Sequence, residues 1–316
     1  MKTMKDIMIA TSRSDYKRGF WDAMRLKPSS DELIRASGGD VNQLYLPKES
    51  EERFRRLEKE NGVIRKLATS MRMYDSSSSI LAYESEDYSQ FVDECDPIPG
   101  FDAIDEFTTV PVNAHKIASL VKATAEFVRD SVFDVEDHIT KRMSKSFAMT
   151  EDRAFVNGTG IGEPTGLLHD EEGAETATTV EAITYDDCID LFFSVKPEYR
   201  KNAVWLMNDH TALVLRKLKD EDGNYLWNHS NDTILGKQVV FCNDMPDAEA
   251  GSKPVLFGDL SYYWVIDRTP ASIRPLYELF ATKGQIGYIV QERLDAKLVR
   301  SEAVKVLAIT PEQENG

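Results

Sequence analysis

The sequence is poor in cysteine and has no long apolar run. Its 316 residues include three cysteines, Cys95, Cys188 and Cys242, which are far apart and show no CxxC spacing. A disulfide framework needs a denser set of cysteines, so this spacing argues against one and favours a reducing compartment. No stretch approaches the roughly 18 apolar residues of a membrane span, and the N-terminal segment lacks the apolar run of a signal peptide. The composition therefore predicts a soluble cytoplasmic protein.

The chain also has few positive charges relative to its negative ones, and its formal net charge is -16 at pH 7. Phosphate binding needs clustered lysine and arginine, so this balance argues against a protein that wraps nucleic acid. An acidic wall can still enclose nucleic acid, since it repels a polyanion and keeps it from sticking. Hydrophobic residues make up 41% of the chain, and its length allows one large domain or two ordinary ones.

Catalytic and ligand-binding motifs are missing as well. The five histidines have no metal-binding spacing such as HExxH, and no serine stands in a GxSxG pattern. The glycine-rich stretch 157–166 lacks the Gly-Lys-Ser/Thr of a phosphate loop and follows a predicted helix, so we interpret it as a helix-to-loop reversal. Residues 219–224 lack the closing glutamate of a calcium loop, which favours a hairpin turn, and Cys188 fits a buried thiol on an apolar helix face. We therefore predict no catalytic, cofactor or metal site.

The most unusual absence is that of lysine and arginine from residues 73–115. The acidic residues of this stretch are Asp75, Glu84, Glu86, Asp87, Asp93, Glu94, Asp96, Asp102, Asp105 and Glu106. Short strand patterns at 80–83 and 88–92, with the helix-breaking Pro97 and Pro99, predict a long two-stranded projection. A lone hairpin is only marginally stable in water, so such a projection should lie on another surface. The alternative, a surface loop, fits the composition at least as well.

The regions on either side of this stretch predict helices. Residues 1–45 are basic and offer little core material, with a short helix over 15–24, and form either a solvated terminus or an arm that lies on a neighbouring subunit. A charged helix with a thin apolar stripe follows over 51–66. The strongest helical periodicity, over 130–156, predicts a spine helix on the order of 40 Å long that stops before Gly158.

Strand patterns occur at 107–112 and throughout the second half of the chain. Residues 185–278 alternate short helices and apolar strands, which predicts a mixed α/β module. Two further strand patterns, 286–293 and 303–309, are expected to pair as a hairpin in the same sheet as 107–112.

Several stretches together resemble the major capsid proteins of tailed bacteriophages. They are Arg153-Ala154-Phe155-Val156-Asn157-Gly158 with Glu163-Pro164-Thr165-Gly166-Leu167-Leu168, Val204-Trp205-Leu206-Met207-Asn208, Leu235-Gly236-Lys237-Gln238-Val239-Val240, Phe257-Gly258-Asp259-Leu260, and Ile286-Gly287-Tyr288 with Ala303-Val304-Lys305-Val306-Leu307. Their order and spacing, rather than any single motif, carry the resemblance, which covers roughly residues 46–309. The chain is thereby similar to the phage capsid family with the Hong Kong 97 fold.

The resemblance implies an α+β chain with the Hong Kong 97-type layout. This layout has an N-terminal arm, an extended hairpin loop, a peripheral domain with the long spine helix, and an α/β axial domain. The corresponding ranges are 1–45 for the arm, 74–106 for the extended loop, 46–73, 107–180 and 283–311 for the peripheral domain, 181–282 for the axial domain, and 312–316 for a tail.

The resemblance further implies a structural protein that is not an enzyme and has no cofactor. Such a major capsid protein self-assembles into hexamers and pentamers, which form the icosahedral shell of a virion around a double-stranded DNA phage or prophage genome. Assembly is expected in the cytoplasm of the host bacterium. Expected partners are other copies of the chain, a separate scaffold protein, and portal and decoration proteins, with DNA enclosed without sequence-specific binding. The alternatives are an encapsulin-type nanocompartment shell protein and a soluble hydrolase.

Two features of some family members are not expected here. Some relatives cross-link a lysine of the extended loop to an asparagine of a neighbouring subunit, but this chain has no lysine between Lys66 and Lys116. Others remove a long N-terminal scaffolding segment, whereas about 45 residues precede the first similar segment here and the chain begins with Met1. We therefore expect non-covalent contacts, and a separate scaffold protein or none.

The extended loop is expected to meet basic residues of the next subunit. The acidic candidates are Glu84, Glu86, Asp87, Asp93 and Glu94, and the basic candidates on the two charged helices are Arg53, Arg55, Arg56, Lys141, Arg142 and Lys145. All six basic residues are predicted to lie on exposed helix faces. The alternative is that these faces are simply solvated, since an exposed ion pair contributes only about 0–1 kcal/mol.

Overall fold

The computed structural model describes residues 4–25, 44–73, 79–83, 91–92, 107–129, 135–219, 222–227 and 232–311. The helices are α1 (Met4–Thr11), α2 (Ser14–Met24), α3 (Lys48–Asn61), α4 (Ile64–Leu67), α5 (Ala125–Arg129), α6 (Val135–Asn157), α7 (Tyr185–Ser194), α8 (Pro197–Arg200) and α9 (Asp209–Arg216). The strands are β1 (Leu44–Tyr45), β2 (Thr69–Arg72), β3 (Ser79–Tyr83), β4 (Phe107–Pro111), β5 (His115–Thr124), β6 (Glu175–Val180), β7 (Val204–Met207), β8 (Thr233–Ile234), β9 (Lys237–Phe241), β10 (Val255–Gly258), β11 (Tyr263–Leu276), β12 (Gln285–Leu298) and β13 (Val304–Ile309).

The first sheet is built around a long antiparallel hairpin of β11 and β12. The two strands pair from Tyr263 opposite Leu298 to Leu276 opposite Gly287, with an irregular register near their middle. Strand β5 lies antiparallel along the other edge of β12, and the short strands β1 and β2 lie along β11. The residues of β5 alternate between half-buried and exposed, so one of its faces packs inward and the other is open.

The second sheet has the strand order β6-β13-β10-β7-β9-β8. Strand β10 is antiparallel to both β13 and β7, and all four of its residues are buried. Trp205 of β7 packs on Phe257 of β10 with their ring centroids 4.3 Å apart. This region confirms the predicted mixed α/β module in part. Its sheet also includes β6 and β13 from outside the predicted range, and β11 from within that range belongs to the first sheet.

The predicted partnership of 286–293 with 303–309 is wrong. Strand β12 pairs with β11 and β5, whereas β13 pairs with β10 and β6 in the second sheet. Strand β4 pairs with β3 in a separate two-stranded ladder. An alternating apolar pattern predicts a strand but not its partner. The charged residues Asp267 and Arg268 interrupt the apolar pattern of β11, so the sequence did not indicate that this strand continues through a bulge. Residues 303–309 thus lie with the α/β module rather than with the spine helix, where our assignment placed them.

Helix α2 confirms the predicted helix over 15–24, but the N-terminal region contains more core material than predicted. Tyr16, Phe20 and Met24 are buried in a core cluster with residues of β11 and β12. Tyr288 of β12 donates a 2.7 Å hydrogen bond to the Met24 carbonyl. Burying a large apolar side chain contributes about 1.5–3 kcal/mol. Helix α2 is therefore part of this chain's own core, and the four-residue spacing of its apolar side chains was the signal that our interpretation missed.

The spine helix is confirmed as α6 over 135–157, and its predicted first turn, 130–134, lies outside the described residues. It packs against α3 through Phe54 and Phe147, whose rings meet edge to face at 5.6 Å. The helix ends at Asn157, before Gly158, as predicted. A Cβ atom at position 158 would lie 2.1 Å from a backbone oxygen across the following loop, so only glycine fits there. The glycine-rich stretch then reverses the chain, which confirms the second part of that prediction.

Two smaller motif predictions are also confirmed. The Cys188 thiol is unbonded and buried, and burial raises its pKa to about 12. Lys219 and Tyr225 form a β-bridge across a tight turn in which Gly223 has a φ of 82°. Residues 220–221 of this turn lie outside the described residues.

Candidate assembly surface

The outer faces of α3 and α6 carry several of the basic residues predicted for contacts between subunits. Arg56 projects from α3 with 68% of its side chain exposed, and Glu60 lies 3.9 Å away. Arg142 and Lys145 are exposed on α6. These three basic residues lie on exposed helix faces, as the sequence predicted.

Arg53 and Lys141 share a partner within the chain. Both contact the carboxylate of Asp137, Lys141 at a distance of 2.9 Å. The hydrogen bond from Lys141, with a further contribution from Arg53, lowers the pKa of Asp137 below its ordinary value. Because Arg53 lies on α3 and the other two residues lie on α6, this cluster ties the helices together. Lys141 stays 60% exposed, so it is accessible to a second carboxylate.

Arg55 does not lie on an exposed face, so this part of the prediction is wrong. Its side chain is 10% exposed, and the guanidinium lies 2.9 Å from Glu58, 3.7 Å from Asp267 and 2.6 Å from Glu292. Arg55 directly follows the buried Phe54 and precedes Glu58 by less than one helical turn, so both charged residues share the inward side. A thin apolar stripe cannot show that the charged positions beside it are buried as well.

The predicted acidic partners lie outside the described residues. They are Glu84, Glu86, Asp87, Asp93 and Glu94. Of the predicted projection, the structure describes the ladder of β3 with β4, which confirms the strand expected over 80–83. The contact between the extended loop and the basic helix faces therefore stays a prediction.

A buried ion network lies beneath the helix surfaces and joins α3, α4, α6, β11 and β12. Its members are Arg55, Glu58, Arg65, Glu151, Asp267 and Glu292. Arg65 contacts both oxygens of Glu151 at 2.7 Å and reaches Asp267 at 3.1 Å. Arg55 lies 2.6 Å from Glu292, although the angles of this contact do not make it a hydrogen bond. Glu58, Glu151 and Glu292 are close enough to share a metal ion.

Burial and the two arginines shift the pKa values of the carboxylates in this network in opposite directions. Burial raises the pKa of Glu151 to about 7, against the attraction of Arg65. Burial also raises the pKa of Glu292 well above its ordinary value. For Asp267 the effect of burial is outweighed by Arg55 and Arg65, which hold its pKa below the ordinary value. The network thus contains two carboxylates that take up protons more readily than a free glutamate, beside one that stays ionised.

We did not predict this network from the sequence. Glu151 stands four residues after the buried Phe147, on the apolar stripe of the spine helix. Glu292 stands on β12 between Val290 and Leu294, which are buried on the same side. A charged residue on an apolar stripe is buried and needs a partner, and that was the available signal. Charged residues make up 29% of the chain, so the pattern did not stand out.

Large apolar side chains are exposed at two edges of the molecule. One edge, which we name the apolar tip, consists of Leu213, Val214, Tyr225 and Leu226 at the end of α9 and in the following turn. The amide of Leu226 donates a hydrogen bond to the Leu218 carbonyl, which holds this turn against the end of the helix. The other edge is the turn of the long hairpin, where Leu279 is 67% exposed. Grouped apolar exposure of this kind is typical of interaction surfaces.

The family model of the Phage capsid family matches residues 42–309. The chain belongs to the phage capsid family. The matched range of this capsid-family chain includes both sheets, the spine helix, the buried ion network and the apolar tip. Helices α1 and α2 lie outside it.

Curated relatives carry capsid names. The "Probable major capsid protein gp17" of Mycobacterium phage L5 is 24% identical over 214 residues, which are 65% of this capsid-family chain and 64% of that protein. The protein of the same name from Mycobacterium phage D29 is 25% identical over 197 residues, which are 61% of each chain. The matches thus span slightly less than two thirds of the length of these relatives.

Solved structures of capsids share the fold. The "Capsid of empty GTA particle computed with C5 symmetry" has a TM-score of 0.67 at 26% identity, covering 79% of this chain and 90% of that chain. A structure from Gordonia phage Cozz has a TM-score of 0.56 at 12% identity, covering 80% and 87%. These likenesses confirm the predicted α+β fold of the Hong Kong 97 type. Within the described ranges, no helix has both the length and the apolar character to span a membrane.

Proposed function

We propose that this protein is the structural major capsid protein of a phage or prophage. Copies of the chain self-assemble into hexamers and pentamers, which form an icosahedral shell around double-stranded DNA. The observation that carries the proposal is the likeness to the GTA capsid, which combines 26% identity with a TM-score of 0.67 over 90% of that chain. Membership of the phage capsid family over residues 42–309 supports it.

The packing of the two sheets suits such a role. One core cluster contains Val265 and Ala296 of the first sheet together with Val255 and Val306 of the second. A subunit that tiles a closed surface must keep a fixed geometry between its contact edges. A core that is continuous between the sheets, with the buried ion network beside it, supplies that fixed geometry.

The apolar tip is the surface that we propose for contacts around the axis of a capsomer. It combines aromatic and aliphatic side chains at one end of the α/β module. The buried centre of protein interfaces is rich in such residues and poor in charge. Repeated five or six times around an axis, the tip would bury its apolar surface against neighbouring copies.

The extended loop, residues 74–106, is proposed as a second contact. Its carboxylates would meet the exposed basic faces of α3 and α6 on a neighbouring subunit. The basic partners that fit are Arg53, Arg56, Lys141, Arg142 and Lys145, without the buried Arg55. Each exposed pair contributes about 0–1 kcal/mol, so the contact depends on many pairs repeated around the shell. The loop contains no lysine, so the proposed contact is non-covalent.

The proposed location is the capsid of a virion, with assembly in the cytoplasm of the host bacterium. A separate scaffold protein, a portal protein and decoration proteins are proposed partners besides other copies of the chain. The net charge of -16 suits a wall that encloses DNA without sequence-specific binding, since it repels the phosphate backbone. The role is structural and requires no catalysis.

Electron microscopy of the purified full-length protein tests the proposal. Closed particles, or rings of five and six subunits, are expected. A chain that stays monomeric in light scattering at all protein and salt concentrations would contradict it. Native particles that carry protein cargo instead of DNA would indicate a nanocompartment rather than a phage capsid.

A pair of matched variants tests the apolar tip. Leu213→Asp introduces a charge within the tip and should reduce the yield of rings and particles. Asn243→Asp introduces the same charge at an exposed position of the α/β module outside the tip, and assembly should be unchanged. Both positions are exposed, so neither variant should alter the melting temperature of the unassembled subunit. Equal assembly by the two variants would remove the tip from the proposed contacts.

A further inference from the structure

The buried ion network carries an excess of negative charge. Two arginines face four carboxylates, which makes a formal net charge of -2 when all six groups are ionised. None of the six side chains is more than 10% exposed. Removing uncompensated charge from water is strongly unfavourable, so the folded chain needs additional positive charge at this place.

Several carboxylate oxygens of the network have no hydrogen-bond donor within the described part of the chain. They are Oε1 of Glu58 and Oε1 of Glu292, and both are buried. Oε2 of Glu292 accepts no hydrogen bond either, but it lies 2.6 Å from the Arg55 guanidinium. Glu58, Glu151 and Glu292 each place one oxygen within 4.8 Å of the other two. These residues come from α3, α6 and β12, so their oxygens face one another across the junction of three elements.

We propose that Glu58, Glu151 and Glu292 bind one divalent cation of the calcium class. Ca²⁺ takes carboxylate oxygens at roughly 2.3–2.6 Å, so two oxygens up to about 5 Å apart can share one ion. Mg²⁺ takes them at roughly 2.0–2.1 Å, which limits that separation to about 4.2 Å. The three oxygens lie within 4.8 Å of one another, which is inside the reach of one Ca²⁺ ion. Calcium suits a set of three protein carboxylates better because it binds them in flexible geometry, whereas Mg²⁺ usually keeps several waters. One divalent cation would also cancel the excess charge of the network.

The two arginines are compatible with this role. Arg65 holds both oxygens of Glu151 at 2.7 Å, and Arg55 lies 2.6 Å from Glu292. An ionised carboxylate has about four lone-pair sites, so it can contact an arginine and a cation together. Arg65 thus orients Glu151 by two hydrogen bonds, and Arg55 orients Glu58 by one at 2.9 Å, as groups that hydrogen-bond to metal ligands commonly do.

Protons compete with the cation for the same oxygens. Burial raises the pKa of Glu151 to about 7 and that of Glu292 well above its ordinary value. Without calcium, Glu151 takes up a proton at about pH 7 and Glu292 takes one up at a pH well above its ordinary pKa, so calcium has to displace protons. Calcium binding should therefore tighten as the pH rises from about 6 to about 8, with release of protons.

The proposed ion would join the spine helix to α3 and to the long hairpin within one chain. It would therefore stabilise the folded subunit both inside and outside a shell. This inference rests on the geometry of a single subunit and is independent of the proposed function, so failure of either leaves the other in place.

Metal analysis and calorimetry of the full-length protein test the proposal. The protein is stripped with EDTA, dialysed at about pH 8 against CaCl₂ or MgCl₂, and analysed by plasma mass spectrometry. About one calcium per chain is expected, with less magnesium. At a hundred-fold excess over the dissociation constant, calcium should raise the melting temperature by about 5 °C.

Two matched variants locate the ion. Glu292→Gln keeps the shape of the side chain but removes a ligand and one excess charge, so it should melt at or above the temperature of the parent in EDTA and no longer respond to calcium. Glu60→Gln is the control, because it removes a carboxylate of α3 whose side chain is 62% exposed. This variant should respond to calcium as the parent does. Glu58→Gln provides a second ligand variant if Glu292→Gln does not fold.

Two results would overturn the proposal. One is the absence of bound calcium at about pH 8, which would mean that protons alone neutralise the network. The other is calcium binding that persists in both Glu292→Gln and Glu58→Gln, which would place the ion elsewhere on the chain.

Discussion

Replacing Arg65 by methionine should destabilise the folded protein far more than a surface substitution does. Arg65 contacts both oxygens of Glu151 at 2.7 Å and Asp267 at 3.1 Å, and its side chain is 5% exposed. In the variant, four buried carboxylates would face Arg55 alone. Removing one partner of a buried ion pair costs roughly 3–5 kcal/mol. Domains are typically stable by about 5–15 kcal/mol, so this loss is between about a fifth and the whole of the total.

Removing a negative charge from the same network should change the free energy of unfolding in the opposite direction. Two arginines and four carboxylates carry an excess charge of -2, which Glu292→Gln reduces to -1 and Arg65→Met increases to -3. Both substitutions approximately keep the side-chain volume, so packing changes little. In EDTA, Glu292→Gln should therefore be neutral or stabilising.

Urea unfolding followed by tryptophan fluorescence, in EDTA at about pH 8, measures both effects. Arg56→Met is the matched control, because Arg56 lies on α3 and is 68% exposed. It should change the free energy of unfolding by no more than about 0.5 kcal/mol. If Arg65→Met and Arg56→Met unfold at the same urea concentration, with the same slope, the buried network does not carry the energy assigned to it.

Three further predictions concern pH, the N-terminal helix and the extended loop. Lowering the pH from about 7 to about 5 in EDTA should raise the calorimetric melting temperature, because folded Glu151, with its pKa raised to about 7, takes up a proton that the unfolded chain binds only near its ordinary pKa. A melting temperature that rises with pH over this window would contradict the assignment, whereas a fall in stability below about pH 4 is expected from the lowered pKa of Asp267. Phe20→Ala should cost about 3–5 kcal/mol in urea unfolding, and the exposed Ile9→Ala should cost little, so equal effects would show that α2 is not docked on the core. Deleting residues 76–96 should weaken or abolish particles in electron microscopy without unfolding the subunit, and particles of unchanged thermal stability would show that the loop is not an assembly contact.

The helices were the most predictable part of the fold. The spine helix carries an apolar residue at almost every turn and ends where only glycine fits, at Gly158. The short helix over 15–24 was predictable for the same reason. Both signals are local, because a helix satisfies its backbone hydrogen bonds within a few residues of the chain.

The pairing of the strands was not predictable in the same way. Strand β13 has the alternating pattern of a strand, yet nothing in that pattern distinguishes β12 from β10 as its partner. The burial of α2 was missed because its apolar residues could equally have faced a neighbouring subunit. Which surface covers an apolar stripe is decided by the whole packing arrangement.

The sequence by itself determined the order of the elements, the family, and the absence of a lysine from the extended loop. Only the tertiary structure decided that Arg55 is buried and that Arg65 meets Asp267, 202 residues further along the chain. Charged residues on a helix have the same local pattern whether water or a carboxylate faces them. Their partners depend on the register of distant strands, and that register is set by the packing of the whole chain.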